Sequence, residues 1–358
     1  MLDAPESDPV VPVIDLSGWA QGDFAKRKSI AASVDEACRR VGFMQIVGHG
    51  ILASTASRLA SAIDQFFALP IEVKSAYISP RPSINRGYSP PRSERLSYSL
   101  GVVTPDDLFE AYNVGANVDD FPQLAGQLDA EAYARNIWPA EYVGFQANDF
   151  RASDFRDGVD AWFRAAASVA RTMTDVFALA LGLDDGYFRQ FTDHSIDVLR
   201  MNHYDVPPGI ELADGQLGMG AHTDFGIVTV LWADAVPGLE ILRPDGSWLP
   251  VVPCDGALLI NLGDLLARWT NDRWLSTMHR VVPPRNSDGE LLRRRSAAFF
   301  HDGNADAVIT TLSPCLDADG TSSYKGVTVA EHLAHKLGGS RALEPNVHAE
   351  REAARIPG

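Results

Sequence analysis

Two histidines and one aspartate in the chain are spaced so that they could hold a single metal ion. His222 and Asp224 lie two residues apart, and side chains at positions i and i+2 share one face of extended backbone. His279 follows in a short β-like run, far enough downstream for several strands and turns to return the chain. Two imidazoles and a carboxylate are typical of a redox metal such as iron(II) that keeps adjacent coordination positions open. Taken singly, each residue is weak support for a metal site, because a lone histidine more often packs in the core or faces solvent.

Arg294 and Ser296 could anchor an anionic co-substrate beside that metal. They share one face of the last predicted strand, and Arg295 takes the other face. Because Ala298 and Phe300 continue the first face, an arginine there would lie at the edge of an apolar interior and would need an anion. The planar guanidinium can form paired, charge-assisted hydrogen bonds with the far carboxylate of a 2-oxo dicarboxylate. Considered alone, Arg294 would more often form a surface ion pair.

The same alternation applies to the predicted strand at residues 196–204. Asn202 and Tyr204 fall on one of its faces, and His203 falls on the opposite face. The polar pair could therefore orient the same co-substrate, whereas His203 is not expected to bind the metal. Considered alone, Tyr204 would more often be a core tyrosine with a satisfied hydroxyl.

Short strands separated by turn residues must position these side chains. From about residue 196 to 302, apolar and β-branched runs alternate with turns rich in Gly, Pro, Asp and Asn. Many short strands of this kind predict a sandwich, barrel or jelly roll. The predicted strands are 196–204, 227–232, 239–242, 257–262 and 294–300.

Helices and two further strands are predicted before this region. Strands at 11–16 and 42–47 flank a helix through residues 25–39, and a second helix ends before Pro70. The clearest helix runs from about residue 153 to 181, where apolar residues recur every three or four positions and Gly182 follows the end. Such an apolar stripe needs a partner surface, and a sheet is expected. The tail after about residue 337 is polar and is expected to be peripheral.

Composition and charge limit where the protein works and what it binds. Lys and Arg total 31 against 47 acidic residues, a net charge of −16, and so acidic a surface should repel nucleic acid and anionic membranes. The cysteines Cys38, Cys254 and Cys315 form no CxxC pair, which disfavours a zinc site or disulfide framework and suits a reducing compartment. Neither a membrane span nor an N-terminal signal core is predicted. These features predict a cytoplasmic protein without nucleic-acid or membrane partners, while oligomeric state is not indicated.

A series of longer motifs runs through most of the chain, from about residue 10 to 340. In the N-terminal part the motifs lie at residues 11–16, 41–50, 66–70 and 86–88. In the C-terminal part they lie at residues 222–224, 229–232, 238–241, 248, 261–264, 270–272, 276–281, 294–296 and 299–300. Together they resemble the isopenicillin N synthase-like superfamily of iron(II)- and 2-oxoglutarate-dependent dioxygenases.

This resemblance implies a fold, a division of the chain and a role for each candidate residue. The implied fold is mainly β with flanking helices, built on a double-stranded β-helix, which is a distorted jelly roll. The implied regions are the N-terminal dioxygenase region 10–120, supporting helices 121–194, the iron and 2-oxoglutarate jelly-roll domain 195–302, and the C-terminal helix and tail 303–358. The catalytic iron(II) ligands would be His222, Asp224 and His279. The 2-oxoglutarate-binding residues would be Arg294, Ser296, Asn202 and Tyr204.

The expected activity couples oxidative decarboxylation of 2-oxoglutarate by O2 to hydroxylation, desaturation or cyclisation of a small organic substrate. Two alternatives stay open at this point. Some relatives that share the Arg-x-Ser element use iron without 2-oxoglutarate, although the Asn202-x-Tyr204 motif favours the 2-oxoglutarate users. The other alternative is a non-catalytic jelly roll that binds a small molecule, and an intact metal triad with open positions counts against it.

The substrate itself is not determined by the sequence. Substrate-contacting positions in the family lie partly in the N-terminal domain and partly near the barrel mouth. The candidate substrate-contacting residues at those positions are Arg86, Tyr88, Phe109 and Trp269. Any single aromatic residue is, however, more often used in core packing. A small organic molecule, such as an amino acid, a peptide or another specialised metabolite, is the finest class that is expected.

Overall fold

The computed structural model describes residues 11–143, 149–206 and 210–341, in which two β-sheets pack together and helices cover them. The helices are α1 (Phe24–Arg40), α2 (Ala53–Phe67), α3 (Ile71–Ser75), α4 (Ala152–Leu181), α5 (Asp264–Trp269) and α6 (Val329–Arg341). The first strands are β1 (Val13–Asp15), β2 (Phe43–Val47), β3 (Gly87–Ser89), β4 (Glu110–Gly115), β5 (Val198–Tyr204), β6 (Met219–His222) and β7 (Val228–Ala233). The remaining strands are β8 (Leu239–Leu242), β9 (Trp248–Pro250), β10 (Leu258–Leu262), β11 (His279–Val281), β12 (Arg294–His301), β13 (Val308–Ile309) and β14 (Val327–Thr328).

The larger sheet has eight strands in the order β1-β2-β10-β7-β12-β5-β4-β3, and the smaller sheet has four in the order β6-β11-β8-β9. All neighbours in both sheets are antiparallel except β1 and β2, which are parallel. Crossing between sheets along the chain is the arrangement of a jelly roll. The strands of the N-terminal region extend the larger sheet at both of its ends, so the two regions share one sheet.

Apolar side chains from the two sheets meet in a hydrophobic cluster between them. The larger sheet contributes Phe43 and Leu259, with Phe109 just before β4, and the smaller sheet contributes Met219 and Ile241. Tyr204 of β5 belongs to the same cluster, so the polar candidate residues of β5 and β12 border it.

Helix α4 covers the outer face of the larger sheet. Trp162 and Phe163 of this helix meet Trp232 of β7 and Phe299 of β12 edge-on, at ring-centroid distances of 6.3 and 5.0 Å. The predicted end of the helix is confirmed, since Gly182 takes the left-handed conformation with φ of 70° and so ends the helix without a Cβ clash. Outward residues of β12 therefore pack on α4, and the intervening residues point into the barrel.

Replacing Trp162 with alanine should lower the free energy of unfolding by about 3–5 kcal/mol, because the side chain is fully buried and the change leaves a cavity. Urea denaturation followed by circular dichroism would measure this. The matched control is Arg164→Ala, an exposed position on the same helix, which should change stability by less than about 0.5 kcal/mol. Equal losses in the two variants would contradict the packing described for α4.

Strand β4 is a departure from the sequence-based expectation. Its six residues are all buried, and a strand buried on both faces lacks the alternation that identifies strands in a sequence. The polar residues Glu110 and Asn113 make this strand still harder to recognise in the sequence. Most of the predicted C-terminal tail, from residue 342, lies outside the described residues. Among the helices of the described ranges, none combines the length and hydropathy that crossing a membrane requires.

Candidate active site

His222, Asp224 and His279 lie together in the barrel interior, each less than a tenth exposed. His222 ends β6 and His279 begins β11, and the two histidines are direct partners across this antiparallel pair. The Oδ1 atom of Asp224 lies 3.7 Å from Nε2 of His222 and 3.6 Å from Nε2 of His279. One ligating atom from each residue lies within 4.8 Å of the other two, so the three side chains can reach one ion.

The two imidazole rings are held with their Nε2 atoms toward the shared centre. Nδ1 of His222 lies 2.8 Å from the carbonyl oxygen of Gly220, and Nδ1 of His279 lies 3.2 Å from that of Thr277. Since a carbonyl oxygen only accepts, each Nδ1 carries the proton and donates it, which leaves the Nε2 lone pair for a metal. Hydrogen bonds of this kind orient the ring before a metal binds.

Burial keeps His222 uncharged. Desolvation, reinforced by the neighbouring His279, lowers the pKa of His222 to about 3. At neutral pH the folded protein therefore carries a neutral imidazole at this position. Because a metal ligand must be deprotonated, binding to His222 near pH 7 needs no release of a proton from Nε2.

The carboxylate of Asp224 is fixed by its other oxygen. Oδ2 accepts hydrogen bonds from the hydroxyl of Thr229 and from Nδ2 of Asn261, the latter at 2.6 Å. Thr229 on β7 and Asn261 on β10 are direct partners in the larger sheet, so one ladder position supplies both donors. With Oδ2 occupied, Oδ1 is the oxygen that faces the two histidines. The aspartate can then bind a metal through one oxygen and leave more coordination positions open.

Replacing Asn261 with alanine should weaken metal binding by about 10- to 100-fold, the usual effect of removing a hydrogen bond that orients a metal ligand. Anaerobic titration of iron(II) against a competing chelator would measure the affinity. Asn286→Ala, in the turn between β11 and β12, removes hydrogen bonds to Asp288 and Glu290 of that turn and should leave the affinity unchanged. If the Asn261 variant binds iron(II) as tightly as the original protein, the hydrogen bond to Oδ2 does not position Asp224.

The four candidate residues for 2-oxoglutarate face one another as two cross-strand pairs of β12 and β5. Arg294 lies opposite Tyr204, and Ser296 lies opposite Asn202. The guanidinium carbon of Arg294 lies 5.2 Å from the centre of the Tyr204 ring, and Nδ2 of Asn202 donates to Oγ of Ser296 at 3.4 Å. All four side chains are buried, so they form a polar patch inside the barrel.

Arg294 is a buried cation that lacks an acidic partner among the residues that the structure describes. It is 2% exposed, and its Nε and Nη1 have no hydrogen-bond acceptor there. Its neighbour Arg295 points to the opposite face, where it pairs with Asp64 at 2.6 Å and Asp234 at 3.3 Å. An uncompensated buried charge is costly. The surroundings of Arg294 therefore fit an anion that the described residues do not provide.

A cavity of about 510 Å³ opens beside the three clustered residues, within the range typical of small-molecule sites. His222 and Asp224 form part of its wall, and most of the remaining surface is apolar, including Phe225 and Phe300. Helix α6 covers one side through Leu333 and its neighbours. A small, largely apolar molecule could therefore lie next to the metal-binding atoms.

Of the four substrate candidates, the structure places Arg86 on the cavity wall. Its guanidinium also donates to the backbone carbonyls of residues 85, 116, 132 and 134, so it joins separate segments of the chain. Tyr88 donates its hydroxyl to Glu110 in the core. Phe109 and Trp269 belong to two hydrophobic clusters. These three side chains are used in packing and do not line the cavity.

Sequence reasoning missed five polar residues of this site, namely Thr229, Asn261, Arg200, Asp302 and Glu94. Arg200 precedes Asn202 by two positions and Asp302 follows Phe300 by two, so alternation along β5 and β12 could have identified both. Thr229 and Asn261 give no such signal, because they approach Asp224 from other strands. Glu94 lies in a loop and reaches Arg200 through the tertiary fold.

A jelly roll with two histidines and one aspartate around one point defines the class of non-haem iron oxygenases. The adjoining cavity and a buried arginine that has no acidic partner among the described residues fit this class. Comparison with family models agrees with this class over both regions of the chain. Residues 11–141 match the model described as non-haem dioxygenase in morphine synthesis N-terminal. Residues 195–303 match the 2OG-Fe(II) oxygenase superfamily.

Two curated relatives match nearly the whole chain. The 2-oxoglutarate-Fe(II) type oxidoreductase hxnY of Emericella nidulans is 35% identical, over 92% of this chain and 91% of its own length. The validamycin A dioxygenase of Streptomyces hygroscopicus subsp. limoneus is 31% identical, over 91% of this chain and 85% of its own length. The chain belongs to the iron(II)- and 2-oxoglutarate-dependent oxygenases.

Solved structures show the same fold. A full-length Neurospora crassa protein in complex with alpha-KG and 5-formyluracil has a TM-score of 0.78 and 28% identity, covering 92% of this chain and 96% of its own. The rice dioxygenase for auxin oxidation has a TM-score of 0.68 and 25% identity, covering 98% and 100%. The predicted fold, enzyme class and use of iron(II), 2-oxoglutarate and O2 are thereby confirmed. The protein is an oxidoreductase that acts on a small molecule, and neither alternative interpretation is supported.

Proposed function

We propose that one group of residues at this site binds iron(II) and that a second group binds 2-oxoglutarate. Iron(II) is held by His222, Asp224 and His279. The distal carboxylate of 2-oxoglutarate is anchored by Arg294 and Ser296, with Asn202 and Tyr204 beside it. The substrate occupies the adjoining cavity and is oxidised there.

The absence of acceptors for two guanidinium nitrogens of Arg294 among the described residues is the main support for this proposal. Other buried guanidinium groups near the cavity have acceptors: Arg200 donates to Glu94 and Asn202, and Arg86 donates to backbone carbonyls. Within the described part of the chain, Arg294 keeps Nε and Nη1 without an acceptor, inside the barrel and opposite Tyr204. A carboxylate with two oxygens satisfies two such donors at once, and 2-oxoglutarate presents one at the end away from its 2-oxo group.

Each group of residues contributes a separate physical effect. Bound iron(II) and 2-oxoglutarate supply O2 activation, in which 2-oxoglutarate is converted to succinate and CO2 while the substrate is oxidised. Gly220 and Thr277 hold the two imidazoles through their carbonyl oxygens. Thr229 and Asn261 hold one oxygen of Asp224, which leaves the other for the metal. The apolar cavity wall excludes water and confines the substrate beside the metal.

The products formed from 2-oxoglutarate test this proposal. Protein supplied with iron(II), ascorbate and 2-oxoglutarate in air should release succinate in the same amount as the 2-oxoglutarate consumed, and a small-molecule substrate should accelerate the release. Anaerobic samples and samples with a chelator should release none. Oxygen consumption without succinate would instead identify an iron oxidase that does not use 2-oxoglutarate. Absence of both across a broad substrate panel would favour the non-catalytic alternative.

We also propose that the protein works in the cytoplasm on a free small molecule, without nucleic-acid or membrane partners. The net charge of −16 supports this, since it opposes binding to anionic polymers and surfaces. Cys38, Cys254 and Cys315 are unpaired in the structure, as suits a reducing compartment. Fractionation of the source cells with an antibody to the protein would test it, and recovery with the membranes would contradict it.

A further inference from the structure

The inward face of β5 and β12 continues beyond the 2-oxoglutarate residues. After the pairs Arg294–Tyr204 and Ser296–Asn202, the next inward pairs are Ala298–Arg200 and Phe300–Val198. Asp302 follows on the same face of the chain, next to Ile196, whose amide donates to the carbonyl of Gly303. Each inward step along a strand advances about 7 Å. The residues from Arg200 to Asp302 therefore line the interior away from the co-substrate end.

Asp302 is an acidic residue on the cavity wall with no partner among the described residues. It is 7% exposed and lines the cavity. No residue in the described ranges donates a hydrogen bond to its carboxylate or forms an ion pair with it. Burial, with Asp197 and Asp224 nearby, raises the pKa of Asp302 well above its ordinary value. Within that part of the protein, no cation compensates a charge on this group.

The other acidic side chains buried around this cavity are already satisfied. Glu94 accepts from Nη2 of Arg200 at 3.0 Å, and this pair is buried. Asp224 accepts from Thr229 and Asn261. Asp197, behind the wall, accepts from Ser195 and pairs with His301. The pairing of Glu94 also uses the charge of Arg200, so that cation is not free to compensate Asp302.

A glycine brings the carboxylate of Asp302 close to the metal-binding loop. Gly226 lies two residues after Asp224, and a Cβ at this glycine would fall 1.8 Å from Oδ1 of Asp302. Because glycine lacks that atom, the carboxylate can rest against the loop beside Asp224. A group bound to Asp302 would consequently lie at the metal end of the cavity.

We propose that Asp302 is a substrate-binding residue that recognises a protonated nitrogen of a small and otherwise apolar substrate. The unpaired carboxylate supplies an uncompensated acceptor, and the apolar side chains around it suit a hydrocarbon skeleton. Those side chains include Leu96, Ile196, Val198, Phe225, Phe300 and Leu333. This inference rests on the proposed function, because it places the nitrogen beside the metal held by His222, Asp224 and His279.

Three probes of similar size and different charge would test this substrate class. Piperidine is cationic at neutral pH, cyclohexanol is neutral and cyclohexanecarboxylate is anionic. Each would be titrated calorimetrically into the apoprotein, and into protein loaded anaerobically with manganese(II) and 2-oxoglutarate. Piperidine should bind about tenfold or more tightly than cyclohexanol, the size of effect expected for a charged hydrogen bond out of water.

The variants Asp302→Asn and Asp306→Asn distinguish a specific role of Asp302 in binding from a general effect of charge. Both replace a carboxyl group with a carboxamide in the same segment, but Asp306 is exposed and lies outside the cavity lining. Asp302→Asn should abolish the preference for piperidine, whereas Asp306→Asn should keep it. Should Asp302→Asn fail to fold, Asp302→Ser provides the same comparison. Retained preference in the Asp302 variants, equal loss in both positions, or tighter binding of cyclohexanecarboxylate would overturn the inference.

Separate titrations with manganese(II) and 2-oxoglutarate distinguish a failure of this inference from a failure of the proposed function. Asp302→Asn should still bind manganese(II) and 2-oxoglutarate, because it removes none of the residues in either group. Loss of that binding in the original protein would contradict the proposed function, while the preference for piperidine could still be measured on the apoprotein. Normal binding of both, with no preference among the probes, would contradict this inference alone.

Discussion

Replacing His222 with alanine should abolish iron(II) binding at the cluster of His222, Asp224 and His279 and should abolish conversion of 2-oxoglutarate to succinate. Two ligands would remain, and the imidazole that the Gly220 carbonyl holds in position would be lost. A site of this kind needs its three protein ligands to retain the metal against water. Iron(II) bound after anaerobic dialysis and succinate release in air would be measured on the same sample.

The control for this variant is His335→Ala, which removes an exposed histidine from α6. It should bind iron(II) and turn over as the original protein does. Substituting alanine for the buried His222 creates space, so thermal unfolding of the apoprotein should accompany the assay to show that the variant is folded. A folded His222→Ala protein with undiminished succinate release would contradict the assignment of the metal ligands.

Replacing Arg294 with methionine should weaken 2-oxoglutarate binding by about 2–5 kcal/mol, or roughly 30- to 5,000-fold, the range for removing one partner of a buried charge pair. Stability should respond in the opposite sense. Arg294 is a buried cation without an acidic partner in the described ranges, so an apolar side chain of similar length should leave the apoprotein at least as stable. The stabilisation that 2-oxoglutarate gives to the original protein should be lost in the variant.

Arg295→Met is the matched control, since it makes the same change at the next residue on the opposite face of β12. Arg295 pairs with Asp64 and Asp234, so its loss should lower stability modestly and leave 2-oxoglutarate affinity unchanged. Calorimetric titration with 2-oxoglutarate in the presence of manganese(II) and urea denaturation would measure the two quantities. Equal affinities in the two variants would exclude Arg294 as the anchor.

Alternation along single strands could be derived from the sequence because it is a local property. Backbone geometry alone places Arg294 with Ser296 on one face and Arg295 on the other, and the structure has this arrangement. The same reasoning separates Asn202 and Tyr204 from His203. The long apolar stripe of α4 and its end at Gly182 are local in the same sense.

Contacts between distant segments could not be derived in this way. The pairing of Arg294 with Tyr204, of Ser296 with Asn202 and of His222 with His279 depends on strand order and register. Face alternation does not determine either of them. The resemblance to a known family supplied which segments belong to one site, but not which atoms meet. The roles of the candidate residues stay predictions until the variants are measured.

The sequence by itself determined the metal-binding residue types, their sharing of strand faces and the class of enzyme that such a pattern serves. Only the tertiary structure decided that Oδ2 of Asp224 is held by Thr229 and Asn261. It also decided that, across the described residues, Arg294 lacks an acid and Asp302 stands unpaired on the cavity wall. The physical reason is that hydrogen bonding and charge compensation are properties of neighbours in space. Neighbours across a closed barrel come from strands far apart in the chain, and the fold alone brings them together.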